Sequence, residues 1–572
     1  MNRRRKTTPY KGRFRFVEGL IVLLITVTIW RVAELQVVDR PFLQNEGDKR
    51  SVRHETIPAH RGIIFDRNGK PIAVSTPVVS IWANPEELIT AGADVSALAT
   101  ALDVNAKDLR KKLRANAKRE FIYLKRQIEP AEAKKIMALK VPGVYSIDEY
   151  RRYYPAGSVA AQLVGLTNID DQGQEGIELA FDDWLSGEPG KWRVLKDRRG
   201  HLVRAAEVVS SASPGKELML SIDLRLQYLA NKELQKAVQS LKARAASLVM
   251  LDVKTGEILA MANQPTFNPN NRSRLNPAGV RNRAITDQIE PGSVIKPLTI
   301  AAALESGRYS AHTPIDTTPG KMRIGKDTVS DVRNYGKLDV TGVITKSSNI
   351  GVSKIALDLG PETILSLFQK VGFGQSTGVA FPGESTGLLP YRMKWRPIET
   401  ATLAYGYGLT VSPLQLAQAY MVLANGGVFQ PVTLLKRDIP PEGTRVMRAD
   451  VAHEVLTMME TVVAKGGTGT RAKLDGYSVA GKTGTVRKLG KEGYTDSRHI
   501  GSFVGIAPAD APRIVMVVVI DSPANGKYYG GLVAAPVFSR VAGESLRVLG
   551  VAPDESGVKT LADVQKYSRI KG

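Results

Sequence analysis

The chain contains no cysteine. Disulfides, thiol catalysis and thiolate metal sites are therefore excluded. The lack suits an oxidising compartment. Histidine is scarce too. The six (His54, His60, His201, His312, His453, His499) are scattered, with no H-x-x-x-H pair. A zinc enzyme is not expected, and a Ser-His-Asp triad has no histidine signature. No zinc spacing, RNP-type aromatic motif or basic leucine zipper is present, so nucleic acid is not an expected partner. There is no internal repeat and no low-complexity tract. Acidic residues are in deficit, 56 against 79 Lys and Arg, for a formal net charge of +23. A diffuse basic face can meet an anionic polymer or membrane surface, or simply keep the chain soluble.

At 572 residues the chain is too long for one core, so two or more domains are expected. A hydrophobic share of 43% is ordinary for a globular protein and low for a polytopic membrane protein. The N-terminus is different. MNRRRKTTPYKGRFR has many basic residues and no acidic one. GLIVLLITVTIW follows, then RVAELQVV. A helix over residues 16–38 would be roughly 35 Å long, enough to cross a bilayer. The flanking basic residues put residues 1–15 in the cytoplasm and the rest outside. No small-x-small cleavage site follows Trp30, which favours an uncleaved signal-anchor over a cleaved signal peptide. Glu18, Arg31 and Glu34 are costly in lipid. Either they snorkel near the ends, or they form a face for a partner helix.

Residues 39–215 read as a turn-rich, non-catalytic region. Asp66-Arg67-Asn68-Gly69 joins two short apolar runs, as a hairpin turn would. Residues 96–117 have a helical pattern. From 216 to 550 the chain reads as one large α/β domain, and 551–572 as a peripheral tail. Strands are expected at 246–253, 257–263, 477–488, 501–508 and 513–521. RIVMVVVID is continuously apolar, hence central. About two hundred residues of helices and loops lie between the second and third strands. Ser412 and Pro413 make a good helix start.

GYSVAGKTGT, residues 476–485, fits a phosphate-binding P-loop by letters alone. A P-loop needs a hydrophobic strand before its first glycine and a helix at its Lys-Thr. GTRAKLD before it is polar, and the glycines after Thr483 do not continue a helix. Lys482-Thr483-Gly484 is therefore expected inside a strand. Lys254-Thr255-Gly256 has the same letters but lies between two apolar runs, where a hairpin turn belongs. Two other motifs precede the KTGT run. EPGSVIKP sets Ser293 and Lys296 three apart at a helix start, on one face. KSSNIG sets Ser347 and Asn349 on one side of a tight turn. Each is weak alone. The ordered set S-x-x-K, S-x-N, K-T-G within one domain is strong.

With these motifs the chain resembles the penicillin-recognising serine acyltransferases. The resemblance is closest to class B penicillin-binding proteins, monofunctional D,D-transpeptidases of the division-specific FtsI type. It extends to the basic N-terminus and single anchor, RGIIFDRNG, RRYYP, LDVKTGEILAMANQPTFNPN and ATLAYGYGL. No glycosyltransferase-like segment precedes the pedestal, which argues against class A enzymes. The implied fold is α/β (α+β): a transpeptidase domain with a five-stranded antiparallel sheet between helices, behind an elongated pedestal.

The resemblance also implies a reaction. Ser293 would attack the penultimate D-Ala of a peptidoglycan stem peptide, and a neighbouring amine would resolve the acyl-enzyme. Lys296 would be the base, its pKa lowered by burial and by Lys482. Ser347 would relay a proton, and Asn349 would hold Lys296 and a substrate amide. Lys482, Thr483 and Thr485 would take the terminal carboxylate. The Ser293 and Thr485 N–H groups would form an oxyanion hole. Gly481 and Gly484 would leave room for a peptide against the strand. Tyr405, Tyr407, Arg487 and Tyr529 are candidates for the cleft lining. β-Lactams would acylate Ser293. An FtsW-type glycan polymerase and other divisome proteins are implied partners; no cofactor or metal is. Rival readings are a β-lactamase, a β-lactam receptor, and a scaffold or specialised paralogue with weak activity. The first needs a water-activating base that the sequence does not reveal. The second needs an output domain larger than the short N-terminal tail.

Overall fold

The computed structural model describes residues 11–196, 202–204, 208–273, 276–490 and 493–554. The residues before 11 and after 554, parts of the expected tails, lie outside the described residues. The described residues form two compact units. One combines the chain before Arg61 with Gly187–Pro214; the other combines Arg61–Ser186 with Gly215 onward.

In the first unit, Lys11–Val38 forms a 28-residue apolar helix, long enough to cross a membrane. Its last residues, Glu34–Val38, are a π-helical turn. Arg31 Nη1 pairs with Glu34 Oε2 at 2.6 Å, so two of the three ionisable residues of the expected span neutralise each other. Strands Val52–Ile57 and Gly190–Lys196 pair antiparallel, with two short strands beside the latter.

The second unit holds two larger sheets. The first is built on the long strand Pro71–Ala83, flanked by Ile122–Ile128 and Val144–Tyr153. Gly69, at φ +77°, completes the expected turn before it, and Asp66 Oδ1 accepts from the Asn68 and Lys70 N–H groups. The helical pattern at 96–117 is two helices, Val95–Ala101 and Ala106–Ala115. Asp103 at φ +55° breaks it, and Asn105 caps the second. Under this sheet, Arg61 Nε and Arg152 Nε reach the two oxygens of one buried carboxylate, Glu178, at 2.8 and 2.6 Å. Arg61 also pairs with Asp182 at 2.7 Å.

The catalytic sheet has strands β1 (Ala245–Asp252), β2 (Ile258–Gln264), β3 (Ala480–Gly490), β4 (Gly493–Ala507) and β5 (Ile514–Asp521), in the order β2-β1-β5-β4-β3. Every pairing is antiparallel. The apolar run RIVMVVVID supplies β5, the central strand, as expected. Its residues alternate between two cores. Met516, Val518 and Ile520 meet helices α1 (Leu224–Leu241) and, near the C-terminus, Ala535–Val548. Val515, Val517 and Val519 face the buried inserted helices instead. Those include α2 (Lys296–Glu305), α3 (Val340–Lys346), α4 (Asn349–Leu359) and α5 (Pro413–Ala424). Ser412 caps α5 in a reciprocal box with Gln415. Lys254-Thr255-Gly256 is the β1–β2 turn, with Gly256 at φ +68°. Lys482-Thr483 lies inside β3, not at a helix start, so the P-loop likeness is of letters only.

Candidate active site

The three motifs meet between α2, the α3–α4 junction and β3. Gly292–Ile295 forms one tight 3-10 turn that runs straight into α2. Pro297 falls in the first turn of α2, where a missing N–H costs nothing. Gly307, at φ +70°, ends that helix region. Ser293 is half-buried, while Lys296 is wholly buried. The Ser293 hydroxyl has no hydrogen-bond partner among the described residues.

The Ser293 turn is held from both sides. Gly292 has φ +58°, and a Cβ there would lie 2.3 Å from Val486 Cγ2 on β3. On the other side a Cβ on Gly406 would lie 2.4 Å from the Gly292 nitrogen. The Gly292 N–H donates to the Gly406 carbonyl at 3.1 Å. Buried Tyr420, on α5, donates its hydroxyl to the Val294 carbonyl. Ser293 therefore sits on a turn that cannot move independently of β3 or the Tyr405–Tyr407 segment.

Ser347 ends α3 at φ +58°, a left-handed conformation rare for a residue with a side chain. That turn aims its hydroxyl between two lysines. Ser347 Oγ lies 3.2 Å from Lys296 Nζ and 2.9 Å from Lys482 Nζ. Lys296 Nζ also donates to the Ser347 carbonyl at 2.6 Å and to Asn349 Oδ1 at 2.8 Å. A neutral amine has two N–H groups and one lone pair. The two carbonyl oxygens take the N–H groups, and the lone pair is left for a hydroxyl.

Burial first, then the charge of Lys482, holds Lys296 well below the ordinary lysine range; Asp331 pulls weakly the other way. Burial brings Lys482 down to about 7. The expected causes for Lys296 are both present. Neither lysine touches a carboxylate among the described residues.

Asp331 is a site residue that the sequence motifs do not reveal. Its carboxylate accepts from Ser348 Oγ at 2.5 Å, the Asn349 N–H at 2.5 Å and the Ile350 N–H at 3.1 Å. Asn349 Nδ2 donates to the Ser330 carbonyl at 3.0 Å. The hairpin carrying Asp331 thus clamps the start of α4. Nothing in the spacing of a lone aspartate marks this.

On β3, Thr483 and Thr485 stand two apart and so share one face. Thr483 is buried, with its hydroxyl 2.8 Å from that of Thr468. Thr485 is more open and accepts from the Gly530 N–H at 3.0 Å. The glycines of this strand have another reason than the expected one. A Cβ on Gly481 would lie 2.4 Å from the Phe503 ring. On Gly484 it would lie 2.4 Å from Ser502 Oγ and 2.9 Å from Val294 Cγ1. Both contacts are with the protein's own interior: they let β3 sit close to β4 and to the Ser293 turn. The expected strand edge is present all the same, because β3 is the outermost strand of its sheet.

The four cleft-lining candidates gather around this strand. Tyr405 and Tyr407 pack edge to face, 5.6 Å apart. Burial raises the Tyr405 pKa to about 12, and its ring packs on the core. Burial also raises Tyr407, whose hydroxyl accepts from the Arg487 backbone. Arg487 is exposed. Tyr529 is half exposed, lies 4.6 Å from the Tyr528 ring, and precedes the Gly530 that binds Thr485. Tyr528, stacked on His499 at 4.1 Å, belongs to the same rim and was not anticipated.

The comparisons with known proteins agree with this geometry. Residues 246–543 match the family model described as the penicillin binding protein transpeptidase domain. Residues 56–220 match the penicillin-binding protein dimerisation domain. The chain is 46% identical over 542 residues to a probable peptidoglycan D,D-transpeptidase, PbpC, of Pseudomonas aeruginosa, covering 95% of this chain and 96% of that one. It is 44% identical to the peptidoglycan D,D-transpeptidase FtsI of Escherichia coli, covering 95% and 92%. Among solved structures, penicillin-binding protein 3 of Mycobacterium tuberculosis, complexed with aztreonam, aligns with a TM-score of 0.67 at 29% identity, covering 87% and 98%. With a matching family model over its catalytic half and relatives this similar end to end, the chain belongs to the class B penicillin-binding protein transpeptidases.

Proposed function

We propose that this protein is a peptidoglycan D,D-transpeptidase acting at the division septum, anchored in the inner membrane by its N-terminal helix. Its N-terminus is cytoplasmic and its catalytic domain periplasmic. We assign residues 39–215 to the pedestal and 216–550 to the transpeptidase domain. An FtsW-type glycan polymerase and other divisome proteins are the expected partners.

The observation that carries the reading is the buried amine of Lys296. It is held by two carbonyl oxygens and kept largely neutral by burial and Lys482. Ser293 Oγ attacks the carbonyl carbon of the penultimate D-Ala, and its proton passes to Lys296 Nζ. Oxyanion charge falls on the N–H groups of Ser293 and Thr485. The C–N bond then breaks. The proton reaches the leaving D-Ala amine through Ser347, which touches both lysines. Lys482, Thr483 and Thr485 hold the terminal carboxylate by charge and hydroxyl contacts. Asn349 aligns the donor amide. Tyr405, Tyr407, Arg487 and Tyr529 wall the cleft. An acceptor amine reverses the steps on the acyl-enzyme and forms the cross-link. A β-lactam presents the same acyl group, but its leaving amine stays tethered, so the enzyme remains blocked.

The direct test is labelling with a fluorescent penicillin, beside Ser293→Ala. Label that survives denaturation and is absent from the variant supports the reading. Rapid loss of label would indicate a β-lactamase. No label on folded wild-type protein would leave a scaffold role.

A further inference from the structure

The segment Leu388-Leu389-Pro390-Tyr391-Arg392-Met393-Lys394-Trp395-Arg396 plays no part in the chemistry above. Its composition is unusual for a surface loop, since large apolar side chains alternate with three cations. Tyr391 is 90% exposed and Met393 98% exposed. Exposure this complete in neighbouring large apolar residues points to a contact surface.

The segment is pinned at both ends. Leu388 exchanges both backbone hydrogen bonds with Thr410, at 2.8 and 2.9 Å. Leu389 and Trp395 pack against the catalytic core. At the far end Glu399 accepts from the Arg396 N–H at 3.0 Å and from its guanidinium at 2.8 Å. Arg392 lies over Trp395, 5.7 Å from the ring centroid, and 3.6 Å from Glu399. One carboxylate thus serves two guanidinium groups, and the Lys394 ammonium has no partner among the described residues. The helix that follows, Pro397–Leu403, leads directly into Tyr405 and the Gly406 that grips the nucleophile turn.

We propose that this strap is a docking site for peptidoglycan strands, outside the reaction cleft. The inference rests on the transpeptidase reading. The Tyr391 ring and the Met393 side chain meet the apolar face of a sugar. Arg392, Lys394 and Arg396 meet the free carboxylates of stem peptides. The pattern fits a polymer whose repeat offers both an apolar sugar face and an anion. A lipid surface would call for an amphipathic helix with a continuous apolar face, and this segment is not helical. A protein partner would call for an apolar centre depleted of charge, whereas here every second residue from Arg392 to Arg396 is cationic.

The test uses the full chain in detergent, first acylated with fluorescent penicillin so that the cleft is filled. Co-sedimentation with purified peptidoglycan sacculi is measured for wild type, Tyr391→Ala/Met393→Ala and Arg392→Gln/Lys394→Gln. Anionic vesicles, and size analysis without ligand, run in parallel. Each double variant should bind sacculi about tenfold more weakly, with penicillin labelling unchanged. Equal sacculus binding by all three, with labelling intact, overturns the strap but not the transpeptidase reading. Loss of vesicle binding or of self-association in place of sacculus binding overturns it in favour of another occupant. Failure of labelling itself marks failure of the underlying reading.

Discussion

Among the described residues two places bury cations, and they do so in opposite ways. In the pedestal region, Arg61 and Arg152 flank Glu178, and all three side chains are essentially out of water. Burial alone would lower the Arg61 pKa, but Glu178 and Asp182 reverse that, and the net shift is upward. In the catalytic domain, Lys296 and Lys482 are just as buried but share a hydroxyl instead of a carboxylate. Their pKa values fall. A buried cation with a counter-ion is fixed in one protonation state and serves architecture. A buried cation without one can change state near neutral pH and serves proton transfer.

Removing each kind of cation should therefore break a different property. The largest effect is expected for Lys296→Met. Penicillin acylation should fall about a thousandfold, because the proposed general base is lost. Folding should survive, because no ion pair is broken. In wild type, acylation should rise with pH as Lys296 loses its proton, then fall above about 7 as Lys482 does. Lys482→Arg, which stays charged, should move the falling limb upward. Stability carries the same signature. Between about 7 and the ordinary lysine range, the unfolded chain binds a proton that folded Lys482 has lost. Wild-type stability should rise with pH across that window, and Lys482→Met should flatten the slope. A flat acylation profile measured by stopped-flow labelling would remove the functional half of the contrast.

Arg61→Met is the reciprocal experiment. It strips Glu178 of one counter-ion and Asp182 of its partner in a water-poor setting. About 3 kcal/mol of stability should be lost, read from chemical unfolding. Acylation by the fraction that remains folded should be unchanged. A slowed acylation with full stability would mean that the pedestal region couples to the active site and is more than architecture.

The same contrast explains what could be read from the sequence. Ser293 and Lys296 are legible because one helix turn fixes their relation. The central strand is legible because both its faces are apolar over the seven residues from Ile514 to Ile520. The decoy at Lys254 is legible because flanking strands force a turn there. Relations between distant segments were harder. The Arg61–Glu178–Arg152 cluster joins three stretches through folding, and in the sequence each reads only as a family resemblance or a turn-rich stretch. The inward packing of Gly481 and Gly484 depends on Phe503, Ser502 and Val294, which no local pattern connects to them. The break at Asp103 replaces one expected helix by two, because a left-handed residue and a new cap outweigh apolar periodicity.

Asp331 tests the boundary between the two classes, being a carboxylate near the active site that pairs with no cation among the described residues. It binds the Ser348 hydroxyl and two backbone N–H groups, and so fixes the turn that points Ser347 at the lysines. It also biases Lys296 slightly toward the charged form. Asp331→Asn keeps the size but removes the charge and one acceptor. If its role is to hold the turn, acylation should slow by about tenfold, near the value of one charge-assisted hydrogen bond. The optimum pH should stay within a few tenths of a unit. If its role is electrostatic, the rising limb should instead move to lower pH, since the variant no longer favours charged Lys296, and the maximal rate should hold. The hydrogen-bond geometry favours the first outcome: three donors converge on the carboxylate, and the amide keeps one oxygen for the Asn349 and Ile350 N–H groups but puts an NH2 where the Ser348 hydroxyl had its acceptor.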